Sequence, residues 1–266
     1  MVTQTKTQSW ILGDTAAPLP PKVPGMPIMG NALAIGKDPM KFSVDNYHKF
    51  GPIYRAQIPG REITFMAGID VNNLVKEADE ILFTNELAFG WANEQLGPIM
   101  TAQSNEEHAH MRKLLRPAYS RVQVAKQIPT MVQVVDAFMD ELEIGQSFEV
   151  FSTMQRLVVT QLGYVMLNYP PGEYLPDFRT FMKTILQVDQ FKTRPSWFYK
   201  LPFYKRAKSR AFEMANKVVA YLEQTEPGVD RPRTGLDILR DETDLQGQPY
   251  TRAHLLAEVM ATYLAG

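Results

Sequence analysis

The residues best suited to chemistry stand in the stretch "SNEEHAHMRKLLRPAYS", residues 104–120. A helix with 100° per residue gives this stretch one buried apolar stripe, made of Met111, Leu115 and Ala118. His108 lies at the edge of that stripe, and Arg112 follows it at a spacing of four. The two side chains therefore lie one above the other at the margin of the core, where two such donors favour an anion.

Two interpretations of that anion remain open. In the first, His108 and Arg112 pair with a carboxylate of the same chain. In the second, they bind the carboxylate or phosphate of a ligand, because a guanidinium recognises planar oxyanions with a fork of donors. A metal site made of His108 and His110 is excluded, because side chains two apart on a helix point about 200° apart.

The ends of this helix are marked by its sequence. Ser104 and Glu107 form an S-x-x-E capping box, which predicts the start. Pro117 predicts an end near Arg116, because proline lacks the amide donor that a continuing helix needs. His110 is predicted to point toward solvent.

The remaining chain predicts a mainly α fold with a small β-sheet near the N-terminus. Residues 18–30 hold five prolines and two glycines and predict an extended segment. We therefore divide the chain into a proline-rich leader, 1–37, and a single domain, 38–266. A helix is predicted from Pro39, and two runs rich in Ile, Tyr, Thr and Phe flank Pro59-Gly60, which predicts a hairpin.

Beyond the hairpin, Asp70 is predicted to start a short helix, and residues 83–103 are interpreted as a long irregular loop. From residue 104 onward the apolar spacing predicts helices almost throughout. The predicted helices are 105–116, about 121–142, 153–168, 175–190, 203–225 and 251–266.

Composition excludes several classes of function. The formal net charge of −1 gives no general attraction to nucleic acid. The chain has no cysteine, which excludes disulfides, cysteine zinc sites and a thiol nucleophile, and we predict no metal ligand in it. The N-terminal stretch has no long apolar run, so neither a signal peptide nor a membrane anchor is predicted. We expect a cytoplasmic protein that is at most peripheral at a membrane.

Two aromatic segments suggest contact with apolar molecules. In residues 89–101, an apolar pocket is one interpretation and a loop tucked onto the core is the other; the side chains concerned are Phe89, Trp91, Leu96 and Met100. Residues 197–210 mix five aromatic with five basic residues, which indicates either a solvated face or a membrane contact.

The order of four motifs resembles the N-terminal half of a cytochrome P450. The motifs are "PPKVPGMPIMGN" (20–31), "FGPIY" (50–54), "HAHMRKLLRPAYS" (108–120) and a final "MATYLAG" that ends in Ala265-Gly266. Each alone is common by chance, but their order and spacing extend across the whole chain. Within the family the text is most similar to soluble bacterial relatives of the sterol demethylase and retinoid hydroxylase branches.

The resemblance implies a haem protein and gives several residues a role. His108 and Arg112 would bind a haem propionate, and Ala265 and Gly266 would pass over the haem face. Residues 89–101 match the first substrate-contacting loop of the family, and residues 197–210 match its mobile lid. Arg116 has no role in the motif and is interpreted as a surface or salt-bridge residue.

The resemblance also implies an activity and its partners. It implies a monooxygenase that inserts oxygen from O₂ into an apolar small molecule, which is isoprenoid, sterol-like or fatty-acid-like. A separate ferredoxin or reductase would supply electrons. The alternative is a helical module that binds an apolar ligand without catalysis.

Several parts of the family's machinery are not in this sequence. Haem iron in cytochromes P450 is held by a cysteine thiolate, and no cysteine is present. The acid–alcohol pair of the family would follow Gly266, so no catalytic residue is assigned. We therefore expect a fragment that ends in the long central helix, exposes apolar faces of that helix and is inactive by itself.

Overall fold

The computed structural model describes residues 18–82 and 84–264. The described chain is mainly helical with one two-stranded antiparallel sheet, which confirms the predicted fold class. It divides into two compact units. The first holds the described residues up to Thr84 together with Gln190–Pro195, and the second holds Asn85–Asp189 and the described residues from Ser196. The single domain over 38–266 stays a prediction.

In its described residues, the first unit holds a hairpin and three helices. The predicted hairpin is confirmed: β1 (Ile53–Ile58) pairs with β2 (Arg61–Met66) in antiparallel register. The turn residue Gly60 has a φ of 79°, which glycine adopts without strain. The helices are α1 (Ala32–Lys37), α2 (Pro39–Phe50) and α3 (Ile69–Leu82).

The proline-rich leader is fastened to β1. The amide of Val23 donates to the carbonyl of Arg55 at 2.8 Å, and the buried Asn31 accepts from the amide of Gln57 at 3.0 Å. At Gly30 a Cβ would lie 2.2 Å from the carbonyl oxygen of Gln57, so only glycine permits this approach. The described leader is thus extended as predicted, except that α1 ends it.

The second unit is mainly helical over its described residues. Its helices are α4 (Asn85–Leu96), α5 (Asn105–Leu115), α6 (Arg121–Lys126), α7 (Ile128–Asp140), α8 (Val150–Leu167), α9 (Leu175–Ile185), α10 (Pro202–Gln224), α11 (Gly235–Asp241) and α12 (Arg252–Leu264). A 3₁₀ turn, Met100–Ala102, lies between α4 and α5.

Two predictions about helices were wrong. The predicted loop over 83–103 contains α4, whose apolar stripe is too short for its period to show. The predicted helix over about 121–142 is two helices, because Pro129 starts a new one. The predicted helix over 175–190 is confirmed, and its last part, Leu186–Gln190, is π-helical.

The central feature of the second unit is α12. Ala257, Val259 and Met260 are fully buried, and α4, α8, α10 and α11 pack around the helix. Among its described residues, no large apolar side chain is exposed, so the expected exposure of this helix was wrong. The exposed apolar side chains are instead concentrated on α7 and α8, for example Val132 and Phe151.

Helix α11 was not predicted from the sequence, and a buried ion pair fastens it to α10. Arg231 donates to both carboxylate oxygens of Asp237 at 2.7 Å, and to the carbonyl of Leu222 at 3.0 Å. Thr234 and Asp237 form a reciprocal capping box. Burial acts to raise the pKa of Asp237, but the hydrogen bonds from Arg231 and Thr234 outweigh it and lower the pKa.

Replacing Arg231 with methionine is therefore expected to lower the free energy of unfolding by about 3–5 kcal/mol, because it leaves a buried carboxylate with only the more distant Arg240, at 3.6 Å. Urea denaturation measures this loss. The control is Arg233→Met, since Arg233 and its partner Asp241 are exposed and such pairs contribute about 0–1 kcal/mol. Similar losses in both variants would show that the buried pair has no special role.

Candidate functional site

The helix α5 begins and ends close to where the sequence predicted. The side chain of Ser104 accepts from the amide of Glu107 at 3.2 Å, and the helix ends at Leu115. The carboxylate of Glu107 bonds elsewhere, since it accepts the amide of Leu245 at 3.2 Å. Only the Ser104 half of the predicted capping box therefore appears among the described hydrogen bonds, and Glu107 connects α5 to the segment before α12.

His108 and Arg112 lie one turn apart on α5, as the spacing predicted. His108 is half-buried and Arg112 is exposed, while Met111 and Leu115 beside them are buried. In the part of the chain that the structure describes, neither of these two side chains has a hydrogen bond or an ion pair. The interpretation with an intramolecular carboxylate finds no partner there, and both donors are available to a ligand.

The prediction for His110 was wrong. Its side chain is half-buried, and Nε2 lies 2.8 Å from the carbonyl oxygen of Thr243. A carbonyl only accepts, so this nitrogen donates. His110 therefore joins Glu107 in holding α5 to the segment over 243–245.

The four predicted substrate residues lie on or just after α4. Leu96 is buried in the core of the second unit, and Trp91 and Met100 are half-buried and pack against that core. Phe89 is exposed. These positions leave Trp91 and Met100 partly accessible and place Leu96 as a packing residue, while the substrate role of all four stays a prediction.

Glu258 in α12 contacts the turn that carries Met100, and the sequence did not reveal this contact. Its Oε1 accepts the amide of Met100 at 2.6 Å, which fastens the 3₁₀ turn to α12. Burial raises the pKa of Glu258 to about 7, although the bond from Met100 acts to lower it. The sequence signal was that Glu258 is the sole charged residue from Leu255 to Gly266.

Ala265 and Gly266, predicted to pass over a haem face, lie outside the described residues. Across 18–82 and 84–264, no group of three or more His, Cys, Asp or Glu residues is arranged to hold a metal ion. Over the same residues, no helix has both the length and the apolar character needed to cross a membrane.

Together these features define a mainly helical protein. On α5, two side chains that can donate hydrogen bonds to an anion have no partner among the described residues, and the buried apolar helix α12 lies in the core of the second unit. The family model described as Cytochrome P450 matches residues 20–266. The chain therefore belongs to the cytochrome P450 family, and the predicted resemblance is confirmed.

Individual relatives agree with that assignment. Lanosterol 14-alpha demethylase of Mus musculus is 19% identical, over 91% of this chain and 49% of that protein. Putative cytochrome P450 120 of Synechocystis sp. is 23% identical, over 94% of this chain and 55% of that protein. The chain thus spans about half the length of these relatives.

A solved structure supports the fold. It is retinoic acid bound cyanobacterial CYP120A1, which is 20% identical and superposes with a TM-score of 0.73. The match covers 94% of this chain and 57% of that one. The relatives include a sterol demethylase, which is one of the two branches that the sequence motifs suggested.

The raised pKa of Glu258 predicts a pH-dependent stability. The folded state holds the proton more tightly than the unfolded state, in which the pKa is near 4.5, so the contribution of Glu258 to stability is fully present below about 4.5 and is lost as the pH rises to about 7. The fall is about 3 kcal/mol, and Glu258→Gln should remove it while keeping an acceptor for Met100. Urea denaturation at a series of pH values measures this.

The matched control is Glu242→Gln, which changes an exposed carboxyl group. This variant should keep the pH dependence of the unaltered chain. If Glu258→Gln keeps it as well, the fall in stability arises from another group.

Proposed function

We propose that this chain forms the distal half of a haem monooxygenase that oxidises an apolar small molecule. The supporting observation is the pair of unpartnered donors on α5, His108 and Arg112, in a chain of the cytochrome P450 family. The named relatives include a sterol demethylase, and the solved neighbour holds retinoic acid. Both points favour an isoprenoid, sterol-like or fatty-acid-like substrate.

The donor set on α5 fits one part of a haem group. A haem propionate is a carboxylate, and a half-buried imidazole one turn from an exposed guanidinium supplies two or more donors to it. The iron ligand is different, since a thiolate must come from residues that this chain does not contain. We therefore propose that this chain binds the propionate side and that the ligand to iron lies in the part of the relatives that it does not match.

The residues of this chain would orient the haem and enclose the substrate. The haem, when bound, supplies the oxygen-activating chemistry. His108 and Arg112 would hold a carboxylate at the margin of α5. The enclosed helix α12 would exclude water, and Ala265 and Gly266, which follow Leu264 in the sequence, would leave room above the ring.

The substrate side would be formed by α4 and the turn that follows it. Trp91 and Met100 offer half-buried apolar surface, and Glu258 fixes the position of Met100 through its amide. We also propose that a separate ferredoxin or reductase supplies electrons. The protein would act in the cytoplasm or at a membrane surface from which an apolar substrate arrives.

The alternative function is a helical module that binds an apolar ligand without redox chemistry, and the absence of cysteine favours it only for a protein in which no residues follow Gly266. The reduced, carbon-monoxide-bound spectrum of the complete gene product distinguishes the two. A thiolate-type Soret shift supports the monooxygenase. A product without that shift that still binds apolar ligands supports the module, and residues 1–266 alone should show no turnover in either case.

Replacing Arg112 with alanine tests the propionate site. One charged hydrogen bond contributes about 1.5–3 kcal/mol, so haemin affinity should fall by at least about tenfold, with normal soluble expression. Absorbance titration with haemin measures the affinity. The control is Arg116→Ala, an exposed arginine at the C-terminal end of the same helix, and equal affinities in both variants would exclude Arg112 from the site.

A further inference from the structure

Lys208 in α10 is a half-buried cation without a compensating charge. Its Nζ lies 3.1 Å from Oε1 of Gln95, a neutral amide. Burial lowers the pKa of Lys208, and no carboxylate among the described residues lies near enough to oppose that shift. A partly desolvated lysine that lacks an anion is unfavourable for stability, and such groups are concentrated where a ligand supplies the missing charge.

The surroundings of Lys208 are aromatic. Its Nζ lies 5.8 Å from the ring centroid of Phe212 and 6.0 Å from that of Phe181, which is fully buried. Cation–π attraction at these distances offsets only part of the lost hydration. The ammonium group therefore lies between the aromatic rings of Phe181 and Phe212 and the amide oxygen of Gln95.

The amide oxygen of Gln95 is shared by two hydrogen-bond donors. Oε1 of Gln95 accepts from the hydroxyl of Tyr204 at 2.5 Å as well as from Lys208. A carboxylate oxygen in its place would accept the same two bonds and would add the negative charge that Lys208 lacks. If the Gln95 side chain rotated, its amide NH₂ group would become a third donor.

The position on α4 connects this cluster to the proposed substrate side. Gln95 follows Trp91 by four residues, so the two side chains lie on one face of the helix. Tyr204 and Lys208 are likewise one turn apart on α10. A ligand with its anionic end at Lys208 would thus place hydrocarbon beside Trp91.

We propose that Lys208, Tyr204 and Gln95 form a subsite for the carboxylate of an elongated apolar acid. This rests on the proposed function for the apolar part of the ligand, and it adds the requirement for an anionic end. An ester or an alcohol of the same length has no charge to pair with Lys208, so the subsite selects acids over their neutral analogues.

The test compares dodecanoic acid with its methyl ester, each binding to the 266-residue chain. At about pH 8 the acid is ionised and most lysines keep their protons. Equilibrium dialysis should show that the acid binds about tenfold more tightly than the ester, as one charge-assisted pair predicts. Lys208→Met should lower the affinity for the acid to about that for the ester, whereas Lys208→Arg should keep most of the preference for the acid.

Two further variants separate a binding role from a structural one. Lys205→Met changes an exposed lysine of the same helix and should keep the preference for the acid. Tyr204→Phe keeps the buried ring, removes one donor and should reduce the preference several-fold.

Two outcomes overturn the subsite while leaving apolar binding intact. One is equal binding of acid and ester by the unaltered chain, and the other is an unchanged preference in Lys208→Met. If neither compound binds the unaltered chain, the proposed apolar ligand fails, and the subsite fails with it.

Discussion

The enclosure of α12 is the constraint on which the second unit depends. From Leu255 to Leu264 this helix carries one charged residue, so exposing nearly any of its faces to water is unfavourable. Helices α4, α8, α10 and α11 meet this requirement by packing around it, and Ala257, Val259 and Met260 have no exposed surface.

The few polar atoms of α12 determine which segments lie against it. The hydroxyl of Tyr263 donates to the carbonyl of Tyr169 at 2.6 Å, and Glu258 accepts the amide of Met100. At Gly163 in α8 a Cβ would lie 2.6 Å from the same carbonyl oxygen of Tyr169. Glycine is therefore required for the close approach that brings this carbonyl within reach of Tyr263.

In its described residues, the same unit leaves donors without an anionic partner in two places. On α5, His108 and Arg112 face no carboxylate among the described residues, and on α10 Lys208 faces only a neutral amide. By contrast, the buried Arg231 has all the acceptors it needs within the fold. This difference separates cations that stabilise the fold from cations that are available to ligands.

The sequence by itself determined the mainly helical class, the hairpin at Pro59-Gly60, the start and end of α5 and the family. These features rest on local signals: a capping residue, a turn pair, a proline and an apolar spacing that repeats over several turns. The juxtaposition of His108 and Arg112 was predictable for the same reason, because a spacing of four fixes neighbours on any helix.

Only the tertiary structure decided the contacts between distant segments. No local pattern shows that Glu258 holds Met100, that His110 meets Thr243 or that Lys208 lies beside Gln95. The helix α4 was missed because its buried stripe is short, and α11 because the ion pair that fastens it joins residues on both sides of a proline and glycine segment. In each case the deciding free energy comes from packing and desolvation between segments, which spacing within one segment does not encode.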